Sequence, residues 1–357
     1  MEGRSIRFVC AWPPTIDSLL VGPANRTNPA SALTLKISVI VDHQSHWIPA
    51  NAFRLLGSRA DRRGSRWYVE ISPGIERSYG PEFYDLETHV ADMDRHGVGA
   101  MLSSPGSAGD LSRLPLTTAA ELAELYNLEA AQAQQELDGR FIGLAVVPLQ
   151  DPDTALRLLN HALVDQGLRG LCVPPNLNER SIVNDELMPV YSRLAELGRP
   201  LVLHPTNRTV LASAYDALPP EFERIGWMFD TSAAALALIY GGVFDVAPGL
   251  VVLHPHLGGA LPFVAARMSA VEDQQDPHRD RPARSVFHYF QENFFVDTVS
   301  GTPGSIEMAQ RLYGAERVVF ASDYPWLPRE GALASVRQQL GAERAAVLEH
   351  TELPGLR

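Results

Sequence analysis

The chain has 357 residues, 45% of them apolar and 20% charged, an ordinary soluble globular composition with enough apolar material for a large core. Thirty basic residues against 42 acidic ones give a formal charge of -12, which disfavours nucleic acid and anionic membrane surfaces as partners. The two cysteines, Cys10 and Cys172, show no CxxC or Cys/His spacing, so a reducing cytoplasm is expected, and no stretch reaches the roughly 20 apolar residues that span a bilayer.

Residues 1–36 carry prolines at 13, 14, 23 and 29 and no sustained period, which predicts an irregular arm ahead of a domain at 37–357. From Ile37 onward short apolar runs predict strands at 37–44, 98–103, 141–148, 168–174, 200–205, 250–255, 293–299 and 317–322. Between them lie segments of helical period, among them 117–139, 151–167 and 184–200, the last two opening on Asp151 and Asn184 as caps and all three reaching a glycine near the end. Eight near-continuous apolar strands alternating with helices describe an α/β protein with an all-parallel sheet, and the count favours a closed (β/α)8 TIM barrel. No GxGxxG follows the first strand and no GxxxxGK[ST] occurs, so a nucleotide-binding open sheet loses its main support. Residues 47–90 are too many for a simple connection and predict a cap insertion over the rim; a second insertion runs from Thr206 to Met228.

Chemistry gathers where the strands end. IVDHQSH carries Gln44 and His46, LVLHPTN carries His204, VVLHPHLGG carries His254 and His256, and VVFASDYPW carries Asp323. In a barrel these ends share one rim, and imidazoles with a carboxylate are what a divalent transition metal needs. Strand alternation puts Asp42, Gln44 and His46 on one side and His43 and Ser45 on the other. His46, His204 and Asp323 are therefore the expected ligands, with Gln44 a weak, neutral fourth and His256 left as an acid or base near a metal-bound water.

These residues, together with DHQSHWIP, GRFIGLAVVPLQDP, GLRGLCVPPN, NFFVDT and HLGG followed some sixty residues later by SDYP, make the chain resemble the amidohydrolase-related proteins similar to aminocarboxymuconate semialdehyde decarboxylase, from about Val39 to the C-terminus. The resemblance implies a distorted TIM barrel with one divalent metal, zinc most of all, manganese or iron otherwise. The family's first-strand HxH falls on Gln44 and His46, its fifth-strand His on His204, its sixth-strand catalytic His on His256 and its Asp on Asp323, which both ligates and assists. Glutamine in place of the first His weakens the site unless another ligand substitutes, and His254, expected to face the same way as His256 one layer deeper, is the candidate. Two-metal relatives carry a Lys at the end of the fourth strand, where this chain has Cys172 and Val173, so one metal is implied.

The activity implied is decarboxylation of an unsaturated or aromatic carboxylic acid, a C–C lyase reaction. A hydrolase of the same superfamily, or a subunit of a metal-dependent oxygenase complex with a structural metal only, are the alternatives. A homodimer or a pairing with a homologous subunit is implied as well. Over the mouth, RLLGSRADRRGSRW offers Arg59, Arg62, Arg63 and Arg66 to a substrate carboxylate, and Trp47, Trp67 and Trp326 offer faces for stacking. Arg267 is expected in a structural ion pair, and His89, His96, His161, His278, His288 and His350 are expected away from the rim.

Overall fold

The computed structural model describes residues 39–72, 75–206, 209–210, 223–272, 282–299 and 301–356. The predicted arm at 1–36, most of the second insertion and His278 lie outside them. Eight parallel strands follow in chain order: β1 (Ile40–His46), β2 (Val98–Ser104), β3 (Phe141–Gly143), β4 (Leu171–Val173), β5 (Leu201–Leu203), β6 (Val252–His254), β7 (Phe294–Asp297) and β8 (Val318–Val319). Each strand pairs with the next, β1 to β3 in one run and β4 to β8 in another. Two single bridges, Ala145 to Leu171 and Ser45 to Tyr324, close these runs into a barrel.

Most strands are shorter than their apolar runs, because the backbone bends out of register soon after it reaches the rim. β1 and β2 are the exceptions, reaching His46 and Ser104, two residues and one residue beyond their expected ends. Leu201, Leu203, Val252, Leu253, Phe294, Val296, Val318 and Val319 are all fully buried, as strands covered on both faces require. Helices fill the outer layer. Leu116–Glu136 lays Ala119, Ala123, Tyr126, Ala130 and Ala131 inward. Pro152–Asn160 is capped by the Asp151 carboxylate accepting from Thr154 N, and the Asn184 side chain accepts from Leu187 N ahead of Met188–Glu196.

The cap at 47–90 contains a helix (Ala50–Leu55), a three-stranded antiparallel sheet (Ala60–Arg63, Arg66–Ser72, Ile75–Tyr79) and a short helix (Pro81–Tyr84). Its first hairpin turns through Gly64 and Ser65, with Gly64 at φ +63°, a value only glycine takes without cost. Helix Leu86–His96 returns the chain to β2. No helix of the described residues is long and apolar enough to cross a membrane.

Candidate metal centre

The expected ligands converge. His46 Nε2 stands 2.8 Å from Asp323 Oδ1 and 3.3 Å from His204 Nε2, and the three donor atoms all lie within 4.8 Å of one another. Each is set by its element. His46 closes β1, and its Nδ1 lies 3.3 Å from Ser104 Oγ at the end of β2. His204 is the first residue past β5; its Nδ1 donates to the carbonyl of Pro205 at 2.9 Å, which leaves the Nε2 lone pair facing the cluster. Asp323 sits past β8 at φ +63°, a left-handed conformation uncommon for a side chain with a Cβ, and its N–H donates to Gln44 O across the barrel seam.

Two ligands about 2.1 Å from one tetrahedral ion stand about 3.4 Å apart. The 3.3 Å between the His46 and His204 nitrogens matches that edge. Both rings are buried, and burial together with the neighbouring His46 pushes the His204 imidazole down to about 3, so His204 is neutral near pH 7, the form a metal takes. Burial alone would raise Asp323, but the hydrogen bond from His46 and the surrounding imidazoles hold its carboxyl down at about 2. A carboxylate and two buried imidazoles thus fit a divalent cation.

Gln44 enters the same group. Its Nε2 donates to Asp323 Oδ1 at 2.9 Å and lies 3.3 Å from His256 Nε2, while its buried Oε1 has no hydrogen-bond partner. His256 does not belong to β6. The strand stops at His254, and Pro255 leads into a turn in which His256 and Leu257 take φ of +55° and +57°. The His256 N–H donates to Asp297 Oδ1 at 2.7 Å, and burial pushes the Asp297 carboxyl up to about 7. This turn needs the glycines that follow: a Cβ at Gly258 would overlap the Tyr313 ring.

The same turn separates His254 from His256. Alternation would have given them one direction, but His254 instead lies 3.4 Å from Tyr313 Oη, on the helix Ser305–Tyr313, and against Phe294, outside the three-residue cluster. Alternation also fails within β1, whose pairing shifts between Asp42 and Ser45. Asp42 and Ser45 both bond Arg329, at 2.9 Å each, while Gln44 and His46 reach Asp323. His43 points elsewhere, its ring held between Phe320 O and Leu353 N.

The residues expected over the mouth are occupied within the cap. Arg66 pairs with Glu82 and Ser78, Arg63 with Asp61 and Glu76, and Arg59 donates to Glu70 O, while Arg62 lies over Trp67. Trp67 stacks on Phe53 at 5.4 Å, and Trp47 is buried with its indole donating to Tyr84 O. Trp326 alone of the three tryptophans is 38% exposed, edge-on to Phe83 with Arg77 over its ring. Arg267 is exposed and forms no ion pair among the described residues. His89, expected away from the rim, is fully buried, and its ring packs edge-on to Tyr324 at 5.1 Å.

Several residues that shape the site were not singled out by the sequence. Ser104, Asp297 and Arg329 are the main ones. Asp297 lies in NFFVDT near the end of the strand expected at 293–299 and closes the observed one, a weaker signal than the one that marked Asp323; Arg329, ten residues past the eighth strand, carried none.

A family model described as Amidohydrolase matches residues 41–351 of the chain. A gamma-resorcylate decarboxylase from Polaromonas sp. (strain JS666 / ATCC BAA-500) is 30% identical over 260 residues, covering 67% of this chain and 77% of that one. A 2-amino-3-carboxymuconate-6-semialdehyde decarboxylase from Dictyostelium discoideum is 26% identical over 220 residues, 58% of this chain and 57% of that one. Among solved structures, a dihydroxybenzoic acid decarboxylase from Polaromonas sp. JS666, with bound manganese and the inhibitor 2-nitroresorcinol, superposes with a TM-score of 0.69 at 22% identity, covering 87% of this chain and 94% of that one.

Proposed function

The chain belongs to the amidohydrolase family, and from that premise we propose that it is a decarboxylase of an aromatic or unsaturated carboxylic acid that works with one divalent metal. The convergence of His46, His204 and Asp323, with imidazole nitrogens 3.3 Å apart, carries the reading. Those three side chains would hold the ion, and Gln44 would complete the set weakly through Oε1, the buried oxygen that has no other partner. Zinc suits the two imidazoles; manganese suits the oxygen donors of Asp323 and Gln44, and it is the ion bound in the Polaromonas structure. When bound, the metal supplies positive charge to fix the substrate carboxylate and an adjacent oxygen.

The remaining work falls to the chain's own groups. Decarboxylation breaks the bond between a substrate carbon and its carboxylate and replaces it with a bond to hydrogen, so a proton must reach that carbon. His256 is the group placed to carry it. Burial, partly opposed by Asp323, lowers its imidazole, so it is neutral at pH 7 and first accepts a proton from a substrate hydroxyl or water before passing it on. Gln44 Nε2 orients the His256 ring, and the Asp297 carboxylate fixes the backbone beneath it. Asp323 stays ionised throughout, ligating and balancing charge beside His46. Arg66, Trp67, Trp47 and Trp326 would shape the approach, Trp326 most directly because its face is partly open.

Cys172 is a buried free thiol, which suits a cytoplasmic protein, and pairing with a second copy or a homologous subunit is part of the same proposal. The test is to strip the protein with chelator, reload it with zinc or manganese separately, and follow gamma-resorcylate and related acids. Carbon dioxide released together with the decarboxylated product, only in a reloaded sample, is the expected result. Hydrolysis without carbon dioxide would move the assignment to the hydrolase alternative, and turnover by the stripped protein would end it.

A further inference from the structure

His256 differs from His46 and His204 in how its ring is held. His46 Nδ1 faces Ser104 Oγ and His204 Nδ1 donates to Pro205 O, whereas His256 Nδ1 is buried with no hydrogen-bond partner among the described residues. Its other nitrogen meets Gln44 Nε2 at 3.3 Å, a long contact. The aim of this imidazole therefore depends on its backbone. His256 and Leu257 stand at φ +55° and +57°, a left-handed region that residues with a Cβ keep only where the surroundings hold them.

Three contacts do so. Asp297 Oδ1 accepts from His256 N at 2.7 Å, and Ala260 N donates to Ser232 Oγ at 2.9 Å, tying the exit of the turn to helix Glu223–Tyr240. The third comes from helix Ser305–Tyr313, whose Tyr313 hydroxyl spans the turn from entry to exit. Its oxygen lies 3.4 Å from Nδ1 of His254, the last residue of β6, and so close to Gly258 that a Cβ there would stand 2.5 Å from it. Tyr313 is itself fixed, fully buried with its ring edge-on to Phe290 at 5.4 Å. Burial raises the phenol and lowers the His254 imidazole, so both are neutral near pH 7 and the hydroxyl can donate to a ring lone pair. An apolar residue at 254 would leave that hydroxyl buried without its acceptor, so a histidine outside the metal cluster has a use there.

We infer that Tyr313 and His254 are positioning residues for His256: the Tyr313 hydroxyl, seated on the His254 ring, holds the turn that aims the His256 imidazole. The inference rests on His256 being the proton carrier. It is tested in the metal-loaded full chain with Tyr313→Phe, which removes one oxygen and keeps the ring, and with His254→Leu, which removes the other partner should the first variant fail to fold. In either variant metal content and KM should stay within about twofold of the parent while kcat falls about tenfold, because a misaimed proton carrier slows the chemical step without weakening binding. Added to His256→Ala, Tyr313→Phe should cost nothing further, since a residue that acts through another loses its effect once that other is gone.

A second measurement needs no turnover. In the chain carrying isotope-labelled histidine, the ring resonance that His256→Ala deletes should shift or broaden in Tyr313→Phe, while that of His43, held between Phe320 O and Leu353 N, stays in place. The inference is overturned by an unmoved His256 resonance, by an unchanged kcat in both folded variants, or by an undiminished loss when Tyr313→Phe is added to His256→Ala. Full turnover by His256→Ala alone would instead end the reading of His256 as proton carrier, and its ring resonance would then decide by itself whether Tyr313 sets its aim.

Discussion

Gln44 stands where the family resemblance places the first His of an HxH pair, and its surroundings say what a glutamine does there. A neutral amide brings neither the charge of a carboxylate nor the donor strength of imidazole, so the proposed set has three good ligands and one poor one. Gln44→His should therefore tighten zinc binding about tenfold or more in competition with a chromophoric chelator. Unchanged affinity and unchanged turnover would place Gln44 outside the ligand set. His204→Ala should strip the ion altogether, since it removes the imidazole whose tautomer is already fixed by Pro205 O; full metal occupancy by elemental analysis would contradict the assignment. His256→Ala separates binding from chemistry. It should retain the ion yet lose about a hundredfold or more in kcat, the scale of a lost proton-transfer group.

At the scale of elements, the barrel seam between β1 and the segment after β8 decides whether the ligands meet at all. Arg329, fully buried at the start of helix Arg329–Leu340, ties Asp42 and Ser45 of β1 to Asp92 of helix Leu86–His96, with its guanidinium over the Tyr324 ring. Asp42 in turn accepts from both Ser322 N and Ser322 Oγ, and Ser322 Oγ accepts from Tyr324 N. The residues on either side of Asp323 are thereby fixed to β1. Removing the cation leaves two carboxylates facing each other without it, so Arg329→Met should destabilise the fold by about 3–5 kcal/mol in urea unfolding. The exposed Arg63, paired just as closely with Glu76, should cost far less on the same change, because a solvated pair contributes little. Equal losses at the two positions would refute the seam argument.

Across the whole molecule the unusual feature is how many imidazoles are buried uncharged. Burial lowers His43 and His256, and it pushes His89, His204 and His254 down to about 3. A group whose folded pKa lies below its unfolded value near 6.5 contributes stability that is present above 6.5 and lost as pH falls toward the folded value. Each such histidine should cost roughly 1 kcal/mol per pH unit below 6.5. Asp297 opposes this: its carboxyl is raised to about 7 by burial, so it favours the folded state as pH falls from 7 toward its ordinary value. One carboxyl does not offset several histidines. The metal-stripped protein should lose Tm steadily between pH 7 and 5, and a flat profile would show that these rings are not held neutral.

The sequence by itself determined the eight strands, the helices between them, the cap and the identities of the rim residues, because apolar periodicity, Asp151 and Asn184 as caps, and the ends of strands are local properties that neighbours along the chain decide. It also determined the family. Tertiary structure alone decided where side chains point once a strand bends or shifts. The left-handed turn at His256 parts it from His254, the irregularity in β1 sends Asp42 and Ser45 to the same arginine, and the arginines and two of the tryptophans placed over the mouth prove engaged within the cap. Period-two reasoning assumes regular backbone, and at this rim the backbone leaves the lattice where His256 and Asp323 lie, since positive φ there is stabilised only by contacts from remote strands.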